Sequence, residues 1–222
     1  MKNIVVIPAR GGSKRLPGKN LAPLGGIPLL AHSIKYALKN HALADALFVT
    51  TDNSEIAACA EQYHANVILR PKELSGDDEP TVSAVQHVID NCGFEVDNVI
   101  LLQPTNPLRP EGLLEDAMKL FVESGADSLF TVSRNHHKLG KIDRGHFIPF
   151  NYSPGQRSQD LEPLYYENGL LYISSSKVIG SGKIFSNEAL PLLVDHPFSA
   201  VDIDTATDFE YAQYLFNKYQ NK

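Results

Sequence analysis

The chain has 222 residues, 43% of them hydrophobic and 21% charged. That fits one large α/β domain with a sizeable core, and it excludes a disordered or fibrous protein. With 20 basic against 26 acidic residues the formal net charge is −6, so the molecule as a whole repels nucleic acid and anionic lipid, and any anion it binds needs a local basic patch.

Apolar runs of strand length alternate with stretches of helical period, the pattern of βαβ units and a mainly parallel sheet. A buried strand is expected over 4–8. Leu30, Ile34, Ala37 and Leu38 mark one face of a helix over 28–40, and a second strand follows at 46–51. Ile56, Ala57, Ala60 and Tyr63 again fall at helical spacing, then comes a short strand at 67–69. Val82, Val85, Val88 and Ile89 line another helix before a strand at 99–102. Leu113, Leu114, Ala117, Leu120 and Phe121 make the next amphipathic helix, with a strand at 128–132 after it. The rhythm then breaks. Residues 135–169 carry Gly, Pro, His and charge with extended pieces such as 146–150, and read as a β-hairpin excursion within a single domain over 1–222. A strand at 170–173 rejoins the sheet. A closing helix over 205–219 is capped by Thr205, with Asp208 three residues on.

The apolar run at 4–9 is too short for a secretory core or a membrane span, and nothing later reaches membrane length. Only two cysteines occur, Cys59 and Cys92, both in helical stretches and outside any CxxC or Cys/His cluster. A disulfide framework or a zinc site has no support, and a soluble cytoplasmic protein is expected.

The segment from Arg10 to Asn20, RGGSKRLPGKN, directly follows the first strand. The first 20 residues hold five basic side chains, Lys2, Arg10, Lys14, Arg15 and Lys19, and no acid. Glycines at the carboxyl end of a central strand let backbone N–H groups approach phosphate oxygens while Lys and Arg neutralise them, which is the recipe for a polyphosphate cradle. Two better-known cradles fail. Gly12 and Gly18 are separated by five residues where a P-loop has four, and Asn20 follows Lys19 where Ser or Thr would meet magnesium. The GxGxxG dinucleotide fingerprint is absent as well.

The run IPARGGSKRLPGKN resembles the N-terminal signature of the acylneuraminate cytidylyltransferases, or CMP-sialic acid synthetases. Further matches keep their order along nearly the whole chain: Thr50-Thr51-Asp52, Leu69-Arg70-Pro71, Leu102-Gln103-Pro104-Thr105 with Pro107-Leu108-Arg109, Asn168-Gly169, and Asp202-Ile203-Asp204 with Asp208. The related Kdo cytidylyltransferases share a looser loop and lack the QPT-PLR segment. The resemblance implies a Rossmann-like nucleotide-diphospho-sugar transferase fold, with helices on both faces of a mainly parallel sheet, and a homodimer using 135–169 for dimerisation and sugar binding. It also implies magnesium-dependent transfer of CMP from CTP to the anomeric C2 hydroxyl of a nine-carbon 2-keto acid sugar, with pyrophosphate leaving.

By the same resemblance Arg10, Lys14 and Lys19 are the catalytic cations that hold the triphosphate, with Gly11, Gly12 and Ser13 of the loop. Asn20, Arg70 and Thr81 belong near the cytidine, Gln103 meets the sugar, and Asp202 and Asp204 hold Mg2+. Elementary chemistry agrees, because nucleotidyl transfer needs in-line positioning and charge neutralisation rather than a protein nucleophile. Asp202 and Asp204 alternate along an extended run, so both carboxylates point the same way. Gln103 ends an apolar strand with its amide free for a polar ligand.

Two departures from the family pattern concern the acceptor. Asn106 stands where Ser is usual, and Ser158 stands where many members have the second of two arginines. Arg157, Lys138 or Lys141 would then meet the sugar carboxylate, with Gln159 beside them. N-acetylneuraminate is the default acceptor, and legionaminate, pseudaminate or a deaminated analogue would use the same phosphate machinery with a different sugar pocket. A Kdo-type or sugar-1-phosphate enzyme and a catalytically silent nucleotide-binding protein stand as alternatives. His136 and His137 have no partner at metal spacing and read as surface residues. Net charge and the lack of aromatics beside the basic loop disfavour nucleic acid.

Overall fold

In the computed structural model, which describes residues 1–220, the chain runs β1 (Asn3–Pro8), β2 (Pro23–Leu24), β3 (Ile27–Pro28), α1 (Leu29–Lys39), β4 (Ala46–Thr51), α2 (Ser54–Gln62), β5 (Asn66–Leu69) and α3 (Thr81–Asn91). It continues through β6 (Asn98–Leu101), α4 (Leu113–Ser124), β7 (Ser128–Asn135), β8 (Gly140–Asp143), β9 (His146–Pro149), β10 (Leu164–Ser175), α5 (Ser176–Gly180), β11 (Leu190–Leu193) and α6 (Ala206–Gln220). Seven strands form one sheet in the order β11-β7-β10-β6-β1-β4-β5. β10 is antiparallel to both its neighbours, and the other pairings in this sheet are parallel.

Period-two alternation sorts each strand between two cores. Val5 and Ile7 of β1 join Leu47 and Val49 of β4 on one face, against Leu30 and Ile34 of α1, Ile56 and Ala60 of α2, and Leu114 and Phe121 of α4. Ile4 and Val6 face the other way with Phe48, Val99 and Leu101, against Val85 and Val88 of α3 and Ile179 of α5. Helices therefore cover both faces, as expected. A third cluster seats Ala212 and Leu215 of α6 on Leu24, Leu29, Val201 and Ile203. This brings the chain's last helix beside the end of the loop that follows β1.

The expected elements are present with ends shifted by a few residues, and the differences have physical causes. β10 starts at Leu164, inside the stretch expected to be irregular, and is 12 residues long because a bulge interrupts it. Glu167 pairs with Val132 and Tyr172 with Phe130, so residues 168–171 face Thr131 alone. Gly169 turns the bulge at φ +76°, where a Cβ would meet Asn106 Oδ1 at 2.7 Å. The excursion is thereby reduced to the β8–β9 hairpin and the segment before β10. β11 has no polar residue to mark its period, although Leu190 and Leu192 face the core and Leu193 is exposed, and it contains Pro191, which an edge strand tolerates. Cys92 caps α3 rather than lying within it.

Candidate active site

The strand order reverses direction beside β1: the chain proceeds to β4 and β5 on one side and returns with β6 on the other. The carboxyl ends of parallel strands at such a switch point open a crevice. A cleft of about 580 Å³ lies there. Its walls come from the end of β1 (Arg10), the loop after it (Ser13, Lys14, Arg15, Lys19, Asn20), the end of β5 (Arg70), the 76–81 segment and Gln103 after β6. Asp204 closes it from the far end of the chain.

The basic loop is held from below. Gly11 N–H donates to Asp52 Oδ1 at 2.8 Å, and a Cβ on Gly11 would come within 2.8 Å of Asn53 Cβ. Gly18 turns the loop at φ +70°, and buried Asn20 donates from Nδ2 to Arg10 O at 3.0 Å. Gly11 and Gly12 do not line the cleft, whereas Ser13 does. Arg70 is only 9% exposed and is fixed by Nη2 donating to Thr50 O at 2.9 Å. Burial lowers the pKa of its guanidinium, while nearby Asp52 opposes that shift.

Each cation of the loop meets a carboxylate that neighbours the cleft. Arg10 Nη1 lies 3.0 Å from Asp77 Oδ1 and donates to Gly76 O at 2.9 Å, and Lys14 also pairs with Asp77. The Lys14 hydrogen bond, with charge from Lys14 and Arg10, holds the Asp77 carboxyl below its usual range. Arg15 Nη2 and Lys19 Nζ flank Asp204 at 2.8 and 2.9 Å. Lys19 is 13% exposed, and its ammonium also donates to Ile203 O at 2.9 Å. Asp77 was not among the sequence candidates. Its neighbours, Gly76 and Asp78, look like an ordinary polar turn, and only the fold brings them over the loop.

Along 201–204 the expected alternation holds: Val201 and Ile203 are buried, Asp202 and Asp204 are not. The run is coil, anchored by Ile203 N donating to Thr105 O at 2.8 Å. Although its surface is reached by solvent, the Asp202 carboxyl is partly desolvated by the packed groups around it, which raises its pKa against a Thr105 hydrogen bond that lowers it, and the charge of Asp204 adds to the rise. Among the described residues no cluster of three or more His, Cys, Asp or Glu is placed to hold a metal by itself. Asp204 lines the cleft and Asp202 the smaller cavity beside it, and hard carboxylate oxygens are the donor type that fits Mg2+, which takes its remaining oxygens from phosphates and water.

Gln103 sits where the cleft meets a smaller cavity of about 410 Å³ lined by Asn106, Tyr166, Glu167, Tyr172 and Asp202, among others. Asn106 is buried and donates from Nδ2 to Val201 O at 2.7 Å and to Asn168 O at 3.0 Å, tying the turn after β6 to the Asp run and to the β10 bulge. Arg109 is buried too and donates to Leu170 O, Ser33 Oγ and Gln103 O at 2.7, 3.0 and 2.9 Å. Thr81, the first residue of α3, lines the cleft.

Lys138, Lys141, Arg157 and Gln159 are not brought to this cleft within the chain. Lys138 sits over the Tyr152 ring, Lys141 over Phe150, and Arg157 forks onto Asp160 at 2.7 and 3.0 Å. Gln159 lies exposed in a 3-10 turn. His136 and His137 are exposed, as expected.

The mainly parallel sheet thus carries a cleft lined by cations at its switch point, and solved structures share the fold. A CMP:2-keto-3-deoxy-manno-octonic acid synthetase complexed with CTP superposes with TM-score 0.74 at 17% identity, covering 98% of this chain and 99% of that one. A 4-diphosphocytidyl-2C-methyl-D-erythritol synthase from Anaerococcus prevotii gives TM-score 0.65 at 13% identity, covering 97% and 98%. The family described as cytidylyltransferase matches residues 4–221, and the chain belongs to it. It is 34% identical to a CMP-N,N'-diacetyllegionaminic acid synthase of Legionella pneumophila over 99% of this chain and 98% of the relative. A pseudaminic acid cytidylyltransferase of Campylobacter jejuni is 32% identical over 97% of each chain. An N-acylneuraminate cytidylyltransferase of Escherichia coli O18:K1:H7 is 32% identical over 95% of this chain and 51% of its own length. The protein is thus an enzyme of the nucleotidyltransferase class.

Proposed function

We propose that the chain transfers CMP from CTP to the anomeric C2 hydroxyl of a nine-carbon 2-keto acid sugar, N-acetylneuraminate or a relative such as legionaminate or pseudaminate. The observation that carries this reading is the gathering of Arg10, Lys14, Arg15, Lys19 and Arg70 around one cleft in a chain of net charge −6. The names of the relatives at 34% and 32% identity support legionaminate- and pseudaminate-type acceptors.

In the reaction the C2 hydroxyl oxygen bonds the α-phosphorus and gives up its proton to solvent, the bond from the α-phosphorus to the bridging β-phosphate oxygen breaks, and pyrophosphate departs. Arg10, Lys14 and Lys19 neutralise the triphosphate oxygens and the charge that builds on the leaving group, while the cleft holds the two reactants in line. Gln103 addresses the sugar from the opposite wall. Asp202 and Asp204 would hold Mg2+, which supplies further positive charge on the phosphate oxygens.

A homodimer belongs to the same reading. Ile142 is 80% and Phe150 64% exposed, with Phe147, Ile148, Tyr165 and Tyr166 also exposed on the excursion and the start of β10. Such an apolar surface is what an isologous contact buries. Lys138, Lys141 and Arg157 on that excursion then reach the acceptor in the partner's cleft rather than in their own. The free thiols Cys59 and Cys92 suit a reducing cytoplasm.

Pyrophosphate release from CTP with a panel of N-acetylneuraminate, legionaminate, pseudaminate and Kdo tests the proposal. Release with a nine-carbon acid supports it, and release with Kdo alone or with no acceptor overturns it.

A further inference from the structure

Gln103 is the polar group shared by the cleft and the smaller cavity, and an amide can present either a carbonyl or an NH2 to a ligand. The surrounding hydrogen bonds decide which. Tyr172, 3% exposed, hydrogen-bonds from its hydroxyl to Glu167 Oε1. A phenol has one proton, and it is given to Glu167, so the phenolic oxygen can only accept from its other neighbour. That neighbour is Gln103 Nε2, at 3.4 Å. One N–H of Gln103 is thereby spent on the protein, while its side-chain carbonyl oxygen accepts no hydrogen bond among the described residues.

We infer that Glu167 and Tyr172 are positioning residues that fix the Gln103 amide as a hydrogen-bond acceptor, so that the site selects an acceptor sugar offering an O–H or N–H donor at that point. The inference rests on the proposed sugar-nucleotide reaction and deepens it.

Two features of the fold exist at this spot and support it. In an unbroken strand Glu167 and Tyr172 would point to opposite faces, about 16 Å apart along the chain. The bulge places residues 168–171 opposite Thr131 alone and so brings Glu167 back onto the Tyr172 hydroxyl. The bulge is itself held by Thr131 Oγ1 donating to Asn168 Oδ1 at 2.6 Å and by Leu171 N donating to Thr131 Oγ1 at 3.2 Å. The backbone of Gln103 is fixed separately by Arg109 Nη2 and by Asn106 N, which both donate to its carbonyl, at 2.9 and 3.2 Å. With the main chain pinned, the only freedom left at Gln103 is its side chain, and the Tyr172 hydroxyl acts on that. Burial and the Glu167 hydrogen bond both raise the Tyr172 pKa, so the phenol keeps its proton throughout the working range. Apart from the tyrosines, the titratable groups of the cavity are Glu167 and Asp202, with no cation among its lining residues. A cavity of that character takes the hydroxyl or acylamino part of an acceptor and turns away its carboxylate.

The test uses the full-length protein, CTP, and whichever of N-acetylneuraminate, N,N'-diacetyllegionaminate or pseudaminate the wild type turns over best. Tyr172→Phe and Glu167→Gln are each expected to raise the sugar KM about 10-fold, the size of one ordinary hydrogen bond, with the CTP KM changed less than 2-fold. The Gln103 side-chain NH2 resonances, assigned by their loss in Gln103→Ala, are expected to shift in both variants. In the Gln103→Ala background, Tyr172→Phe is expected to add no further loss, because the relay then has nothing to orient. Additive losses in the double variant, an equal rise in the CTP KM, or unmoved Gln103 resonances each overturn the inference. Should wild type turn over none of the acceptors, the proposed function fails, and the relay is then decided by the resonances alone.

Discussion

Lys19 Nζ lies 2.9 Å from Asp204 Oδ1, across 185 positions of sequence. The pair joins the loop after the first strand to the run that precedes the last helix, and it places the least exposed cation of the loop against a candidate metal ligand. Arg15 holds the other oxygen of the same carboxylate.

Lys19→Met, which keeps the apolar stem beneath the missing charge, is expected to lower kcat about 100-fold or more, because the ammonium acts on charge that grows in the transition state. The far-ultraviolet dichroism should match wild type. A folded variant with near wild-type kcat would place the reacting phosphates away from Lys19.

Asp202→Asn and Asp204→Asn are each expected to move the magnesium dependence of the rate to higher concentration, since each removes an anionic oxygen from a hard-cation site. Asp204→Asn also leaves Lys19 and Arg15 without their carboxylate, so its effect should be the larger of the two. Superimposable magnesium titrations for both variants and wild type would locate the ion elsewhere.

In light scattering at micromolar concentration the wild type is expected to have the mass of two chains. Replacing Ile142 and Phe150 together by Glu should give one chain, because two charges cannot be buried at an apolar contact without partners. A wild-type monomer would remove the homodimer from the proposed function.

Arg157→Ala is expected to raise the sugar KM about 10-fold or more while leaving the CTP KM unchanged, as a charge-assisted bond to the sugar carboxylate would require. Its action should cross the dimer: mixing Arg157→Ala with Lys19→Ala chains and letting subunits exchange should restore, in half the sites of the mixed dimers, the wild-type sugar KM and turnover together, a combination that neither variant shows alone. Mixtures no more active than their components would tie Arg157 to its own Asp160 and nothing further.

Arg109→Met should lower stability by about 3 kcal/mol, roughly 10 °C in melting temperature, through the loss of partners for Leu170 O, Gln103 O and Ser33 Oγ. Burial brings the Arg109 pKa down to about 10, still above neutrality, so the wild-type guanidinium is cationic and these bonds are charge-assisted. A variant within 1 °C of wild type would mean that water replaces all three.

Much of the molecule was decided by local pattern. The alternation in β1 and β4 and the helical spacing in α1, α2, α3 and α4 depend on neighbours within a turn or two, and these elements lie where periodicity put them. The basic loop announced itself by a charge density opposite in sign to the rest of the chain. The order of its family motifs then named the class.

The tertiary structure alone decided the direction of β10, its bulge, the edge strand β11 and the partners of the loop cations. Strand direction and pairing register are set by which distant strand a segment meets, and no local period records that. Asp77 and Glu167 look in sequence like ordinary solvated acids. They acquire roles only because a turn brings one against Arg10 and Lys14 and a four-residue bulge brings the other against Tyr172. Lys138, Lys141 and Arg157 were placed with the sugar by resemblance, and the fold of one chain leaves them on the excursion, because a hairpin that leaves the sheet carries its side chains away from the strand ends that form the cleft.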